Sequence, residues 1–256
     1  MRTSLRPLCP TALFVMIAGC AMLGGCHASQ PVTTPLHDAV RTDDADKLKA
    51  AIAPDKSNIN VQGDHKKTPL IYAGEVGAAK SAQVLLDDGA DIEAKDVDGY
   101  TALHWAAYKD QADVAAILLD HHANIEAREL TQSTPLALAA YEGSTRTAKL
   151  LLDHGAQVNV VDNDKDSPLE YAVRKNRPEI FKMLIDKGAE VNNIDNDGWT
   201  PLLYAVRYNY LDMAKTLIDH GADINHKGND GTRPLADARA QGFLEMAKYL
   251  ESKGAK

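Results

Sequence analysis

Histidine is the first residue type in this chain that suggests chemistry, because imidazole binds metal ions and transfers protons near neutral pH. The 256-residue sequence contains nine histidines, and His121, His154 and His220 are separated by multiples of 33 residues. Side chains related by such a step lie in separate layers of a repeated structure, about 10 Å apart, so two of them cannot ligate one metal ion. The spacing instead fits polar residues at the ends of helices, where a cation is stabilised by the helix dipole.

Carboxylates follow the same rule. Five aspartates recur at the 33-residue step, one in each layer: Asp87, Asp120, Asp153, Asp186 and Asp219. They do not form a pair for acid–base catalysis, which needs both groups within reach of one substrate. Residues 162–166, DNDKD, are similar to the start of a calcium loop, but Ser167 stands where that loop needs glycine and Val173 where it needs glutamate.

No sequence motif for catalysis is present. The chain has no Gly-rich phosphate loop and no G-x-S-x-G or H-E-x-x-H segment. We therefore expect no enzyme activity, no catalytic residue, no metal and no cofactor. The rival hypothesis is an enzyme or metal carrier that uses the histidines.

Composition and net charge limit the classes of partner that the protein can bind. The chain is 45% hydrophobic and 25% charged, which is typical of a soluble globular protein. Its formal net charge is −8, whereas a nucleic-acid-binding surface needs a basic patch. We expect no nucleic acid among the partners.

The elements that would position these side chains are copies of one unit. A corner of the type Thr-Pro-Leu begins every 33 residues, at Thr68, Thr101, Thr134, Ser167, Thr200 and Arg233. An earlier copy begins at Thr34, one residue out of phase, which makes seven units over residues 34–256. Proline suits the first turn of a helix, since its missing N–H has no partner there in any case.

Three further columns of residues share this period. Turn residues that tolerate a left-handed backbone are Gly77, Asp110, Gly143, Asn176, Asn209 and Gly242. A leucine column contains Leu85, Leu118, Leu151, Leu184, Leu217 and Leu250. An alanine column contains Ala73, Ala106, Ala139, Ala172, Ala205 and Ala238. Small alanines allow close approach of helices and leucines fill the space between layers, so the units are predicted to stack.

This unit resembles the ankyrin repeat, with its T-P-L-H-x-A corner, glycine turn, L-L run and G-A-D-I/V-N ending. The resemblance implies an all-α ankyrin repeat solenoid of helix–turn–helix pairs with β-hairpin loops, about seven units including caps. His37 and His104 of the corner are then expected to bond backbone between repeats. Glu251 replaces the apolar residue of earlier units, which suits a capping repeat with no further neighbour.

The resemblance also implies a protein-binding concave face, formed by the hairpin tips and the ends of the first helices. Tyrosine, tryptophan and arginine dominate the energetics of interfaces. The aromatic and basic residues at these positions, which we call the stripe, are Tyr100, Tyr108, Lys109, Tyr141, Arg174, Lys175, Trp199, Arg207 and Tyr208. We expect them along one exposed face, with Trp199 at an exposed tip. The alternative is that the tip aromatics pack against their own hairpins.

The first 26 residues differ from the rest. Arg2 and Arg6 precede an apolar run over residues 11–25, which is short for a membrane-spanning helix and fits a secretory signal. The segment LGGC that ends at Cys26 is similar to a bacterial lipobox, in which the cysteine receives a lipid. IAGC ending at Cys20 also fits, and Cys26 is preferred because a polar segment follows it. Ordinary cleavage after Ala28 and an uncleaved anchor stay open.

The predicted domains are a lipoprotein signal peptide at residues 1–25, a lipidated cysteine with a short tether at 26–33, and the repeat domain at 34–256. All three cysteines precede the repeat domain, which therefore has no disulfide. By resemblance to lipoproteins of Gram-negative bacteria, His27 after the cysteine favours the outer membrane, facing the periplasm. Cleavage at Ala28 would instead give a soluble periplasmic or secreted protein.

The predicted function is a non-enzymatic, envelope-anchored scaffold for protein–protein interaction. We expect a monomer, held to the membrane by its N-terminal lipid, that binds one periplasmic or membrane-bound protein with an acidic patch. Two uses stay open: an adaptor that supports an envelope oxidative-stress enzyme, or an immunity lipoprotein that inhibits a secreted toxin such as a lipase. A host-directed role is open if ordinary cleavage frees the chain.

Overall fold

A computed structural model describes residues 34–256. The predicted signal peptide, Cys20, Cys26, Ala28 and the tether lie outside the described residues. Over 34–256 the chain forms fourteen α-helices and one short 3-10 helix, Asp64–Lys66. No helix in this part of the chain is long and apolar enough to cross a membrane.

The helices come in seven consecutive pairs. The first helices are α1 (Pro35–Arg41), α3 (Pro69–Val76), α5 (Ala102–Tyr108), α7 (Pro135–Glu142), α9 (Pro168–Arg174), α11 (Pro201–Arg207) and α13 (Pro234–Ala240). The second helices are α2 (Ala45–Ala51), α4 (Ala79–Asp87), α6 (Ala112–Asp120), α8 (Thr145–Asp153), α10 (Pro178–Asp186), α12 (Leu211–Asp219) and α14 (Leu244–Ser252). Each first helix contacts its own second helix and the first helix of the next pair. The predicted all-α solenoid of helix pairs is confirmed.

The first helices begin where the corner motif predicts. Thr68 caps α3 with its side chain, which accepts a hydrogen bond from the Ile71 amide at 3.3 Å, and a proline follows at the first helical position. Thr34, Thr134 and Thr200 cap their helices in the same way. Arg233 at the last corner makes no such bond.

The turns inside the pairs are left-handed at all six predicted positions, with φ between 53° and 85°. Two aspartates at these turns also accept hydrogen bonds from backbone amides of the next repeat. The Asp110 carboxylate accepts a hydrogen bond from the Thr147 amide at 2.9 Å, and Asp43 at the first turn accepts from the Ser81 amide at 2.8 Å. An aspartate at this turn therefore caps the second helix of the following pair.

The core consists of the two predicted columns. Every leucine of the leucine column and every alanine of the alanine column has 0% of its surface exposed. Each repeat thus buries its apolar face against its neighbours, as stacking of single-layer units requires.

A second set of bonds between repeats was not predicted from the sequence. The side chains at one repeat position each accept a hydrogen bond from the backbone amide 31 residues further on, at 2.7–2.9 Å. The members of this ladder are Asn60, Glu93, Glu126, Asn159, Asn192 and Asn225. It gives a structural reason for the polar residue that ends the G-A-D-I/V-N segment.

The β-hairpin loops that the resemblance implies are not formed by paired strands: the loops between pairs are tight turns, and residues 34–256 contain no β-strand. Asp96, Asp162 and Asp195 stand at one repeat position, and each accepts hydrogen bonds through one carboxylate oxygen from the amides two and four residues later, at 2.8–3.0 Å. The aspartate side chain therefore accepts hydrogen bonds from backbone amides that would otherwise be free to pair with a neighbouring β-strand. Successive tips are joined by single backbone bonds, such as Asn163 N–H to the Thr131 carbonyl at 3.0 Å.

Candidate protein-binding surface

Two positions of each repeat lie eight residues apart, one at the loop tip and one at the end of the first helix, and they contain part of the stripe together with residues that pair with it or replace it in other repeats. Lys67 and Glu75 form an ion pair of 2.6 Å. Asp166 and Arg174 form an ion pair at the same two positions. In the next repeat the guanidinium of Arg207 lies 4.7 Å from the Trp199 ring centre. The sequence identified both columns but not their pairing.

The same side chains also connect each repeat to its neighbours. The ammonium of Lys67 lies 3.7 Å from the Trp105 ring centre, and that of Lys175 lies 4.0 Å from the Tyr141 ring centre. The Arg174 guanidinium lies 5.1 Å from the Tyr204 ring centre. Contacts of this type between cations and rings contribute about 0.5–2 kcal/mol each. The stripe therefore has a structural role in addition to any role in binding.

The predicted residues differ in their exposure. Lys109, Lys175 and Tyr208 are exposed. Five others are half-buried: Tyr100, Tyr108, Tyr141, Arg174 and Arg207. Trp199 is only 5% exposed.

The expectation of an exposed Trp199 is wrong. Asp195 accepts the Trp199 amide at 2.8 Å and turns the tip back onto α11. The indole then packs against Tyr204, with ring centres 5.0 Å apart, and beneath Arg207. At this tip the alternative holds, in which a tip aromatic packs against its own hairpin. Tyr100 is partly covered in a similar way by Trp105, at 5.5 Å.

The accessible part of the stripe consists of exposed cations beside tyrosine rings. Lys109 lies 4.9 Å from the Tyr108 ring centre, and Lys175 covers Tyr141. Tyr208, 38% exposed, stacks on Tyr204 with ring centres 6.5 Å apart. Ammonium groups and phenol rings in this arrangement offer charge, hydrogen bonds and apolar area to a partner.

The corner histidines are structural. The His104 ring contacts the Thr101 amide at 3.2 Å and the Ser133 carbonyl of the next repeat at 3.3 Å. Burial lowers the pKa of His104 to about 4, so the ring is neutral at physiological pH. The His37 ring contacts the Lys67 carbonyl at 3.0 Å. The prediction that these histidines bond backbone between repeats is confirmed.

The histidine column lies at helix C-termini, as predicted. His121, His154 and His220 are the residues that follow α6, α8 and α12. A ring nitrogen of His154 lies 2.9 Å from the Leu150 carbonyl of its own helix. Across residues 34–256 no three His, Cys, Asp or Glu side chains lie together as a metal-ligand set.

The segment similar to a calcium loop closes on itself. One Asp162 oxygen accepts the amides of Asp164 and Asp166, and the other accepts the Tyr171 hydroxyl. Beside it, Asp166 and Glu170 are buried. Burial raises the pKa of Asp166 to about 6 against the opposing effect of Arg174, and it raises the pKa of Glu170 to about 7.

Sequence reasoning missed this buried acidic group, although a signal was present. Glu170 stands at the repeat position that holds Ile71, His104, Ala137 and Leu203 in other copies. A carboxyl group at a position that is otherwise apolar or imidazole marks an unusual site in the array.

Stacked helix–turn–helix pairs of this kind define a helical repeat solenoid. The sequence model of the family described as Ankyrin repeats matches this chain in three copies, over residues 36–129, 122–195 and 191–256. The chain belongs to the ankyrin repeat family, whose members are typically non-enzymatic interaction scaffolds.

Proposed function

We propose that this protein is a non-enzymatic scaffold, anchored in a bacterial cell envelope, that binds one periplasmic or membrane-bound protein through the stripe. The observation that carries the proposal is the exposure of Lys109, Lys175 and Tyr208, which directly follow the first helices α5, α9 and α11. Tyrosine is one of the residue types that dominate the binding energy of interfaces, and the two lysines add charge complementarity to an acidic partner.

An acidic partner surface fits this site. Lys109 and Lys175 lie over tyrosine rings and are exposed, whereas the nearby Arg174 and Arg207 are already paired with Asp166 and Asp237. The cations available to a partner are therefore the two lysines. Carboxylates on the partner would meet them without first breaking an internal ion pair.

Anchoring in the envelope rests on the sequence of the first 26 residues. Lipidation of Cys26 and a tether of seven residues would hold the repeats within about 25 Å of the membrane surface. That position suits either an adaptor for an envelope enzyme or an inhibitor of a toxin that reaches the periplasm.

The binding test is a crosslinking pull-down from native membranes with a variant of the accessible residues. Lys109→Ala, Lys175→Ala and Tyr208→Ala combined are expected to reduce capture of the partner at least about tenfold, since exposed anchor residues are lost while internal ion pairs are kept. Circular dichroism should match the parent protein, and the urea midpoint should fall only slightly, since the variant loses the Lys175–Tyr141 contact and the Tyr208 stacking but keeps the buried ion pairs.

The matched control changes two lysines and an apolar residue on the second helices: Lys182→Ala, Lys248→Ala and Leu244→Ala. All three are exposed, and this variant should capture the partner as well as the parent does. Equal capture by the parent and the stripe variant would contradict the proposed surface. A partner found only when a competing strain or its secreted toxin is present would favour the immunity function over the adaptor.

Anchoring is tested separately by labelling cells with a fatty acid. The parent protein should carry the label and sediment with membranes, and Cys26→Ala should lose all of the label and become soluble, because the acyl chains provide the attachment. Cys20→Ala is the control and should keep the label. If the label persists in Cys26→Ala and disappears in Cys20→Ala, the lipidated residue is Cys20.

A further inference from the structure

Four buried carboxyl side chains lie at the junction of the fifth repeat (α9 and α10) with the sixth (α11 and α12). They are Asp162, Asp166, Glu170 and Asp195, and none is more than 9% exposed. The cation in contact with this group is Arg174, which pairs with Asp166. A buried carboxylate is strongly disfavoured unless hydrogen bonds or an opposite charge compensate it.

Two of the four are compensated as anions by hydrogen bonds. Asp162 accepts two amides, the Tyr171 hydroxyl and the Ser133 hydroxyl. Asp195 accepts two amides and the Tyr204 hydroxyl. Bonds donated to a carboxylate favour its charged form, and for Asp162 they act against burial, which raises the pKa of that group.

The other two each have one oxygen that accepts no hydrogen bond from the described residues: Oδ1 of Asp166 and Oε1 of Glu170. The second oxygen of Asp166 pairs with Arg174. The second oxygen of Glu170 accepts from the Ser167 amide and from the Asn193 side chain, both at 2.6 Å. Asp166 thus has the Arg174 guanidinium as its counter-charge, whereas the donors to Glu170 are neutral, so a proton held by the pair lowers the cost of burying both groups.

We propose that Asp166 and Glu170 together retain one proton at neutral pH, and that loss of this proton as the pH rises weakens the junction of the fifth and sixth repeats. The titratable and polar groups around Asp166 and Glu170 come from three repeats. The fifth repeat contributes Asp162, Tyr171 and Arg174 around the pair. The sixth repeat contributes Tyr204, with Asp195 and Asn193 from the loop before α11, and the fourth contributes Tyr141 through its ring contact with Tyr171.

The two side chains are placed to transmit a change in charge. Asn193 donates to Glu170 and also to the Lys165 carbonyl at 2.8 Å, so it ties the loop before α11 to the start of α9. Arg174, held by Asp166, lies against the Tyr204 ring of α11. With the proton lost, Asp166 and Glu170 would both be charged in a buried site beside these two connections, where a poorly compensated charge is strongly disfavoured.

The direction of the pH effect follows from the raised pKa values. The pKa of Glu170 is raised from 4.5 to about 7 by burial, so the folded protein keeps a proton that the unfolded chain has lost. The contribution of Glu170 to stability is therefore fully present below about pH 4.5, is lost as the pH rises, and is gone above about pH 7. Asp166 adds to the same trend at lower pH, with a pKa raised from 3.8 to about 6.

The test uses the full chain with Trp105→Phe, in which Trp199 of the sixth repeat is the remaining tryptophan. The urea midpoint from Trp199 fluorescence is expected to fall between about pH 6 and about pH 8. Glu170→Gln, which keeps the shape without the titration, should flatten this dependence. Glu179→Gln, an exposed position at the start of α10, should keep the dependence of the parent.

Equal pH dependence in Glu170→Gln and its parent would overturn the proposal. If Glu170→Gln does not fold, carbon-13 NMR of the side-chain carboxyl groups in the unaltered chain decides. A buried carboxyl resonance with a titration midpoint above about 6 supports the proposal, and titration of every carboxyl below about 5 rejects it.

Discussion

Arg174→Ala is expected to lower the free energy of unfolding by about 3 kcal/mol, because removal of one partner of a buried ion pair leaves the other charge uncompensated. The Asp166 side chain is 3% exposed and that of Arg174 22% exposed. The substitution also removes the guanidinium from the Tyr171 and Tyr204 rings. Urea unfolding followed by circular dichroism measures the loss.

The control is the double variant Arg174→Ala with Asp166→Ser. Serine occurs at the same repeat position in the preceding unit, as Ser133. Removal of the stranded carboxylate should restore about half or more of the lost stability, since neighbouring changes of this kind are not additive. A double variant as unstable as the sum of the single variants would show that the ion pair is not the source of the effect.

This result bears on how binding through the stripe can be measured. Arg174 and Arg207 have the residue type of an interface anchor, but both are paired with buried carboxylates of the fold. A variant that removes them would lose binding through loss of structure as well as through loss of contact. Variants at Lys109, Lys175 and Tyr208 reduce this ambiguity, because these side chains are exposed and take no part in the buried ion pairs.

The solenoid was predictable because its signals are local and repeated. The role of a residue follows from its position within the 33-residue unit alone. This holds for the capping threonines, for left-handed turn residues such as Asn176, and for buried leucines such as Leu151. Seven copies in register make such assignments consistent with one another. The same register also placed the stripe residues at the loop tips and at the ends of the first helices.

The environment of individual stripe residues was not predictable in this way. Burial of Trp199 depends on how Asp195 turns the tip, and the pairing of Asp166 with Arg174 depends on side-chain directions across eight residues. The charge state of Glu170 depends on donors from another loop, such as Asn193. These features come from contacts between elements, for which one sequence contains no periodic signal.

Gly74 provides a second case in which the repeat pattern and the structure disagree. It follows the alanine column, where the later repeats carry Ala107, Ala140, Val173 and Val206. A comparison of the repeats alone would predict that valine is accepted here, and alanine would improve helix propensity by about 1 kcal/mol. In the structure, however, a Cβ atom on Gly74 would lie 2.4 Å from the carbonyl oxygen of Ala102.

Gly74→Val is therefore expected to destabilise the array by about 3 kcal/mol, with a smaller loss for Gly74→Ala, because the obstructing atom belongs to the backbone of α5 and cannot rotate away. α3 would have to move away from α5 and disturb the Trp105 environment, so the fluorescence of Trp105 should change in the folded state while that of Trp199 stays constant. Urea unfolding of the two variants and the parent gives the ranking.

Val206→Ala at the same position of the sixth repeat is the control, and it should cost only about 1–2 kcal/mol through lost packing. Alanine at position 74 that raised the unfolding midpoint would show that α3 and α5 have room between them, and that the repeat pattern is the better guide at this position.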